Sequence, residues 1–191
     1  LTPLATGEWI GAFALTEPQA GSDAAALKTT ARKEGNDYIL NGSKQFITSG
    51  KFGQLTLVFA VTDKEKGKQG ISAFLVPTDT PGYIVAGLEH KMGQRSSDTA
   101  QLVFEEMRIP EANRLGAEGE GYKIALANLE GGRIGIAAQS LGLAQAGYDA
   151  ALAYAQERTS FGKPLIDHQA VGFRLADMAT RLEAARHLVL E

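Results

Sequence analysis

The spacing of hydrophobic and polar positions changes period near Pro110. Upstream, short apolar runs alternate with polar residues and are separated by turn formers, the pattern of an all-β unit. Candidate strands cover 10–15, 27–33, 38–40 continuing through 45–47, 55–61, 71–76, 83–88 and 100–107. Within 55–61, Leu55, Leu57, Phe59 and Val61 fall on one face, as a period of two requires. Gly35-Asn36-Asp37 and Asn41-Gly42 each predict a hairpin-type turn, because Gly and Asn tolerate positive φ. No long helical run separates the strands, so the sheet is predicted to be mainly antiparallel.

Beyond Ile109-Pro110 the period becomes helical. Ile134, Ala137, Leu141, Ala144, Tyr148, Ala151 and Ala155 step by three and four, as do Val171, Leu175, Met178, Leu182, Ala185 and Val189. Gly162-Lys163-Pro164 interrupts the two stripes, which predicts an antiparallel helix pair. Two helices alone would leave much of both stripes in water, so their partners are expected outside this sequence or on another subunit. The chain starts without Met and ends inside a helical pattern, and both ends are expected to be cut from a longer protein.

Composition narrows the function classes. A net charge of -3 gives no footprint for nucleic acid, and no apolar run reaches the length of a membrane span. The absence of cysteine excludes disulfides and thiolate chemistry. His90, His168 and His187 have no ligand-like spacing with carboxylates, so no metal site is expected.

The densest chemical cluster is Phe13-Ala14-Leu15-Thr16-Glu17-Pro18-Gln19-Ala20-Gly21-Ser22-Asp23. Backbone N–H groups around Gly21 and Ser22 suit an anionic or carbonyl-bearing ligand, since Gly permits close approach. Composition by itself favours an ordinary capped turn. By the same reasoning Glu130 and Arg133 read as a carboxylate at the start of a helix and an arginine in a surface pair.

The run Ala14-Leu15-Thr16-Glu17-Pro18-x-Ala20-Gly21-Ser22-Asp23 closely resembles a signature of the acyl-CoA dehydrogenase family. Four further stretches match in order: 41–50 (Asn41 to Gly50), 104–110 (Phe104 to Pro110), Glu130-Gly131-Gly132-Arg133-Ile134, and Glu157-Arg158-x-x-Phe161-Gly162-x-Pro164-Leu165. The resemblance implies an α+β chain: an antiparallel, β-barrel-like middle domain over 1–108, then over 109–191 the first two helices of an up-and-down four-helix bundle. It also implies FAD as cofactor and dehydrogenation of a fatty acyl-CoA to the trans-2-enoyl-CoA, with texture closest to short-chain or butyryl types.

Carried over by position, the resemblance puts Phe13, Leu15, Thr16, Phe46, Ile47 and Thr48 around the flavin ring, with Leu15 backbone and Thr16 on its polar edge. Gly21 and Ser22 face the cofactor's phosphate side, and Ser22 also the acyl-CoA. Glu130, Gly131, Gly132 and Arg133 fall on the CoA side. Arg158, Ser160, Phe161, Leu165, His168 and Gln169 resemble a site that completes the FAD pocket of a neighbouring subunit, so a homo-oligomer, a dimer of dimers, is implied.

No catalytic base is expected in this chain. In one branch of the family it lies in a later motif, here beyond Glu191. In another it directly precedes the arginine matching Arg133, where this sequence has Gly132. The 191-residue chain by itself is therefore expected not to turn over acyl-CoA. The implied electron acceptor is an electron-transfer flavoprotein, in the bacterial cytoplasm or mitochondrial matrix. An acyl-CoA oxidase using oxygen and a non-catalytic CoA-ester-binding member are the alternatives.

Overall fold

The apolar run at 55–61 forms the strand on which the first half of the chain is built. The computed structural model describes residues 2–191. A short helix α1 (Thr2–Ala5) precedes strands β1 (Gly11–Ala14), β2 (Thr30–Glu34), β3 (Asp37–Thr48), β4 (Leu55–Val61), β5 (Ile71–Pro77), β6 (Tyr83–Leu88), β7 (Thr99–Pro110) and β8 (Arg114–Leu115). They make one sheet in the order β6-β7-β3-β2-β4-β5-β8, an open path, with β1 beside the first residues of β4. Pairing is antiparallel as expected, except that β1 and β2 both run parallel to β4. The long loop after β1 permits that exception, since a parallel neighbour needs a crossover rather than a hairpin.

Both faces of β4 are covered, which explains its near-continuous apolar sequence. Val58 and Ala60 join one core cluster with Phe74, Leu102, Phe104 and Met107. Leu57, Phe59 and Val61 join a second with Leu15, Leu27, Ile71 and Ala125. The face assigned to Leu57, Phe59 and Val61 from their alternation is thus the observed one.

One expected turn is absent. Gly35-Asn36 does close the β2–β3 hairpin, with Glu34 opposite Asp37 and Gly35 at φ +63°. Asn41-Gly42, by contrast, lies inside β3, where the register against β7 shifts between Leu40 and Gly42. Asn41 bridges across the sheet, accepting from Glu106 N–H at 2.9 Å and donating to Glu106 Oε1 at 2.7 Å. A bulge, not a turn, uses the conformational freedom of this pair.

The second compact unit begins within helix α2 (Gly121–Glu157) and covers Ala127–Glu191. It continues through β9 (Thr159–Ser160), β10 (Lys163–Pro164) and α3 (Gln169–Leu190). The helix break is a hairpin whose two central residues, Phe161 at φ 51° and Gly162 at φ 79°, are both left-handed. Two-residue hairpins favour that geometry because it matches strand twist. The helices meet near this hairpin, where Ala155 and Leu175 are buried, and Arg186 reaches back to Gln145 at 2.7 Å. Much of the stripe stays open, with Ile134 61% exposed.

Gly82 and Gly35 separate two demands on glycine. Both have positive φ, but a Cβ on Gly82 would collide with the Glu105 carbonyl oxygen, whereas one on Gly35 meets nothing. Gly35→Ala is expected to cost about 1 kcal/mol, and Gly82→Ala about 3 kcal/mol because backbone must also move. Urea unfolding of the two variants measures the difference, and equal losses would contradict it.

Candidate functional site

The loop that leaves β1 is tied down through a carboxylate. Glu17 is only 3% exposed. It accepts the backbone N–H of Lys28 at 2.7 Å and of Thr29 at 3.1 Å, Gln19 Nε2 at 2.7 Å and Lys44 Nζ at 2.8 Å. Lys44, from the middle of β3, is fully buried and also donates to the Leu15 carbonyl at 3.2 Å. Next to it, Gln45 N–H donates to the Thr16 carbonyl at 2.9 Å. Three consecutive loop residues are therefore fastened to two consecutive residues of one strand.

Burial would raise the Glu17 pKa, but the Lys44 charge and the hydrogen bonds from Lys44, Thr29 and Lys28 outweigh it and hold the carboxyl below its ordinary value. Burial pushes Lys44 down to about 8, against the opposing pull of Glu17. Both groups are charged at neutral pH. With its oxygens taken by four donors and its proton affinity lowered, Glu17 is no candidate for a base.

Immediately after this pair, β3 slips register against β7 between Lys44 and Ile47. The slip places Phe46 at φ 59° with its ring 61% exposed, while Ile47 points into the core. A left-handed non-glycine residue costs about 1–2 kcal/mol, and an apolar ring held in water adds to that. Strain of this kind is characteristic of ligand-binding positions. The bulge is braced on its far side by Gln45 Nε2, which donates to Glu89 at 2.6 Å beyond the end of β6. Thr48 is exposed at the end of β3.

The remaining predicted positions of the first unit are arranged unevenly. Phe13 stacks on Phe59 with ring centroids 5.0 Å apart, and the Leu15 side chain is in the second core cluster, so Leu15 offers a ligand only its backbone. Among the described residues, neither the Thr16 N–H nor its hydroxyl has a hydrogen-bond partner. Gly21 and Ser22 are exposed, just past a tight bridge between Glu17 and Ala20.

In the second unit the structure gathers Arg158, Ser160, Phe161, Leu165, His168 and Gln169 around the β9–β10 hairpin. Leu165 N–H donates to the Arg158 carbonyl at 2.8 Å, and the His168 ring bonds the Ser160 carbonyl at 3.0 Å. His168 packs edge-on to Phe161, whose ring is 96% exposed at the hairpin tip. Glu130, Gly131, Gly132 and Arg133 sit well inside α2, not at its start, and are exposed. Among the described residues no salt bridge joins Glu130, Arg133 or Arg158, so the surface pair expected from composition is not formed.

The profile for "Acyl-CoA dehydrogenase, middle domain" matches residues 12–107, and that for "Acyl-CoA dehydrogenase, C-terminal domain" matches residues 119–191. The chain belongs to the acyl-CoA dehydrogenase family. An acyl-CoA dehydrogenase of Bacillus subtilis is 54% identical over 97% of this chain and 49% of its own length. The butyryl-CoA dehydrogenase structure from Megasphaera elsdenii superposes with a TM-score of 0.96 at 50% identity, covering 100% of this chain and 50% of that one. A chain solved in work on the electron transferring flavoprotein of Acidaminococcus fermentans gives a TM-score of 0.96 at 53% identity, again over 100% of this chain and 50% of that one. This family member thus spans about half the length of the relatives it matches, which include bacterial and mitochondrial proteins. Among its described residues, no helix is long and apolar enough to cross a membrane.

The donor set of this acyl-CoA dehydrogenase family member fits a flavin. An exposed aromatic residue, Phe46, lies next to Gln45, which is bonded to Thr16, and Thr16 has an N–H and a hydroxyl with no partner among the described residues. That is what a planar heteroaromatic ring with acceptors on one edge requires.

The Glu17–Lys44 pair was not visible in the sequence. Its one signal is a lysine in the middle of a strand with Leu40 and Ile47 in the core on either side. Removing one partner of a buried pair costs about 3–5 kcal/mol, so Glu17→Gln is expected to lose stability on that scale at pH 7. Because the folded pKa of Glu17 is depressed, its contribution is present above the unfolded value near 4.5 and lost as pH falls through the folded value. Urea unfolding between pH 7 and pH 3 should therefore show a shallower acid loss in Glu17→Gln than in the parent. Parallel curves would contradict this.

Proposed function

We propose that this chain is the flavin-binding core of an acyl-CoA dehydrogenase acting on a short-chain acyl-CoA thioester, with FAD as cofactor and an electron-transfer flavoprotein as acceptor. The observation that carries the reading is the strained, exposed Phe46, next in β3 to the Gln45 that holds Thr16, whose donors have no partner among the described residues, in a chain 50% identical to short-chain and butyryl-CoA dehydrogenases. In this reading 1–108 is the middle β-domain and 109–191 opens the helical bundle, whose open stripes are covered in the whole protein.

Each residue then has a task. Phe46 supplies an apolar slab for the ring, Thr16 and the Leu15 backbone bind its polar edge, and Thr48 lies beside them. Gly21 and Ser22 approach the phosphates, and Ser22 also meets the CoA ester. Arg133 and Glu130 attend the CoA moiety. Arg158, unpaired in its own unit, reaches the FAD pyrophosphate of a neighbouring subunit, where its fork geometry suits phosphate. Ser160, Phe161, Leu165, His168 and Gln169 complete that site, which makes the working protein a homo-oligomer. Bound FAD supplies the acceptor for the β-hydride, while a carboxylate outside these residues takes the α-proton. The protein's contribution here is to bind, orient and exclude water.

Anaerobic addition of butyryl-CoA to the full-length protein should bleach its flavin absorbance, and electron-transfer flavoprotein should restore it faster than oxygen does. Faster recovery with oxygen would support an oxidase, and no bleaching would support a non-catalytic binder. Arg158→Ala should weaken FAD retention by about 10–100-fold, the value of one charged hydrogen bond, with apo stability changed by less than about 0.5 kcal/mol. Unchanged retention would remove Arg158 from the cofactor site.

A further inference from the structure

Nothing in the neutralisation of Glu17 requires Lys44 to touch a second group, yet its Nζ also holds the Leu15 carbonyl at 3.2 Å. An ammonium has three donors, and here one is spent on the carboxylate and one on this peptide. The peptide unit is planar and trans, so the Leu15 C=O and the Thr16 N–H belong to one rigid plane and point in opposite directions. Fixing the carbonyl toward the buried lysine turns the Thr16 N–H away from it. The next peptide is fixed too, because the Thr16 carbonyl accepts from Gln45 N–H at 2.9 Å. Thr16 therefore sits between two immobilised peptides, and its own N–H has no partner among the described residues. A cation on the carbonyl also polarises the amide and strengthens its N–H as a donor.

We propose that Lys44 is a positioning residue for the flavin. By gripping the Leu15 carbonyl from inside the fold, it aims the Thr16 N–H outward at the polar edge of the ring and fixes the distance of that edge from Phe46 on the same strand. This rests on the flavin reading above. A lysine that served only to neutralise Glu17 would be replaceable together with its partner. A positioning lysine is not.

The experiment uses the full-length protein and the paired variant Glu17→Gln/Lys44→Met, which leaves no uncompensated buried charge. Apo stability is read by urea unfolding, FAD affinity by equilibrium dialysis, and the flavin environment by its visible absorption bands and two-electron reduction potential. The paired variant should fold with stability close to the parent, yet bind FAD about tenfold more weakly and show displaced absorption bands and a moved potential. A folded variant with parental affinity, spectrum and potential would overturn the proposal. Should the variant not fold, a crystal structure of the parent protein with FAD bound decides. Lys44 on the Leu15 carbonyl with the Thr16 N–H on the ring supports the proposal, and a turned peptide or a released lysine overturns it. A parent protein that takes up no FAD at all would sink the flavin reading itself, and this inference with it.

Discussion

Two opposite charges removed from water, Glu17 and Lys44, are the constraint to which the other features of the first unit are attached. Taking each out of solvent costs several kcal/mol, recovered only if geometry is good and the remaining lone pairs and protons find partners. Here they do. Glu17 gains two backbone amides and the Gln19 amide besides the ammonium, and Lys44 gains the Leu15 carbonyl. The pair links the loop after β1, the residues Lys28-Thr29 just before β2 and the middle of β3. Because it sits one residue before Gln45 and two before Phe46, the strain of the β3 bulge is held by a neighbour that cannot move without exposing a charge.

That arrangement explains why the site consists of small backbone details on a rigid sheet. β4 and β5 are covered on both faces, and the elements that carry Thr16 and Phe46 are fastened to them or to each other. The second unit uses a different device. Its hairpin projects Phe161 at the tip and leaves Arg158 without an internal partner, while His168 and Leu165 hold the turn closed.

The strands at 55–61 and 83–88 were legible because each is an apolar run with clear punctuation, and they coincide with β4 and β6, whereas the two-residue strands β8, β9 and β10 carry no such run. The turn assigned to Asn41-Gly42 failed because glycine next to asparagine serves a bulge as well as a hairpin, and only the partner strand decides between them. α2 starts at Gly121, ahead of the first periodic residue, because Tyr122, Ile124 and Ala125 pack on the sheet rather than along the later stripe. The motif at 14–23 marked the loop that carries the buried pair, but the reason for its glutamate lay in a lysine 27 positions away. Side-chain pairings across that separation leave no periodic trace. The positive φ of Phe46 was equally invisible, since it follows from a register slip against β7 rather than from the residue itself.

The claim that Glu17 and Lys44 act as one unit is tested most directly by a double-mutant cycle on unfolding free energy, comparing Glu17→Gln, Lys44→Met and the pair. Strong coupling is expected: each single variant should lose about 3–5 kcal/mol, and the paired variant, close to the parent in stability, should recover most of the sum of those losses. Single losses that simply add would show that the two charges stabilise the fold independently, and would contradict the account.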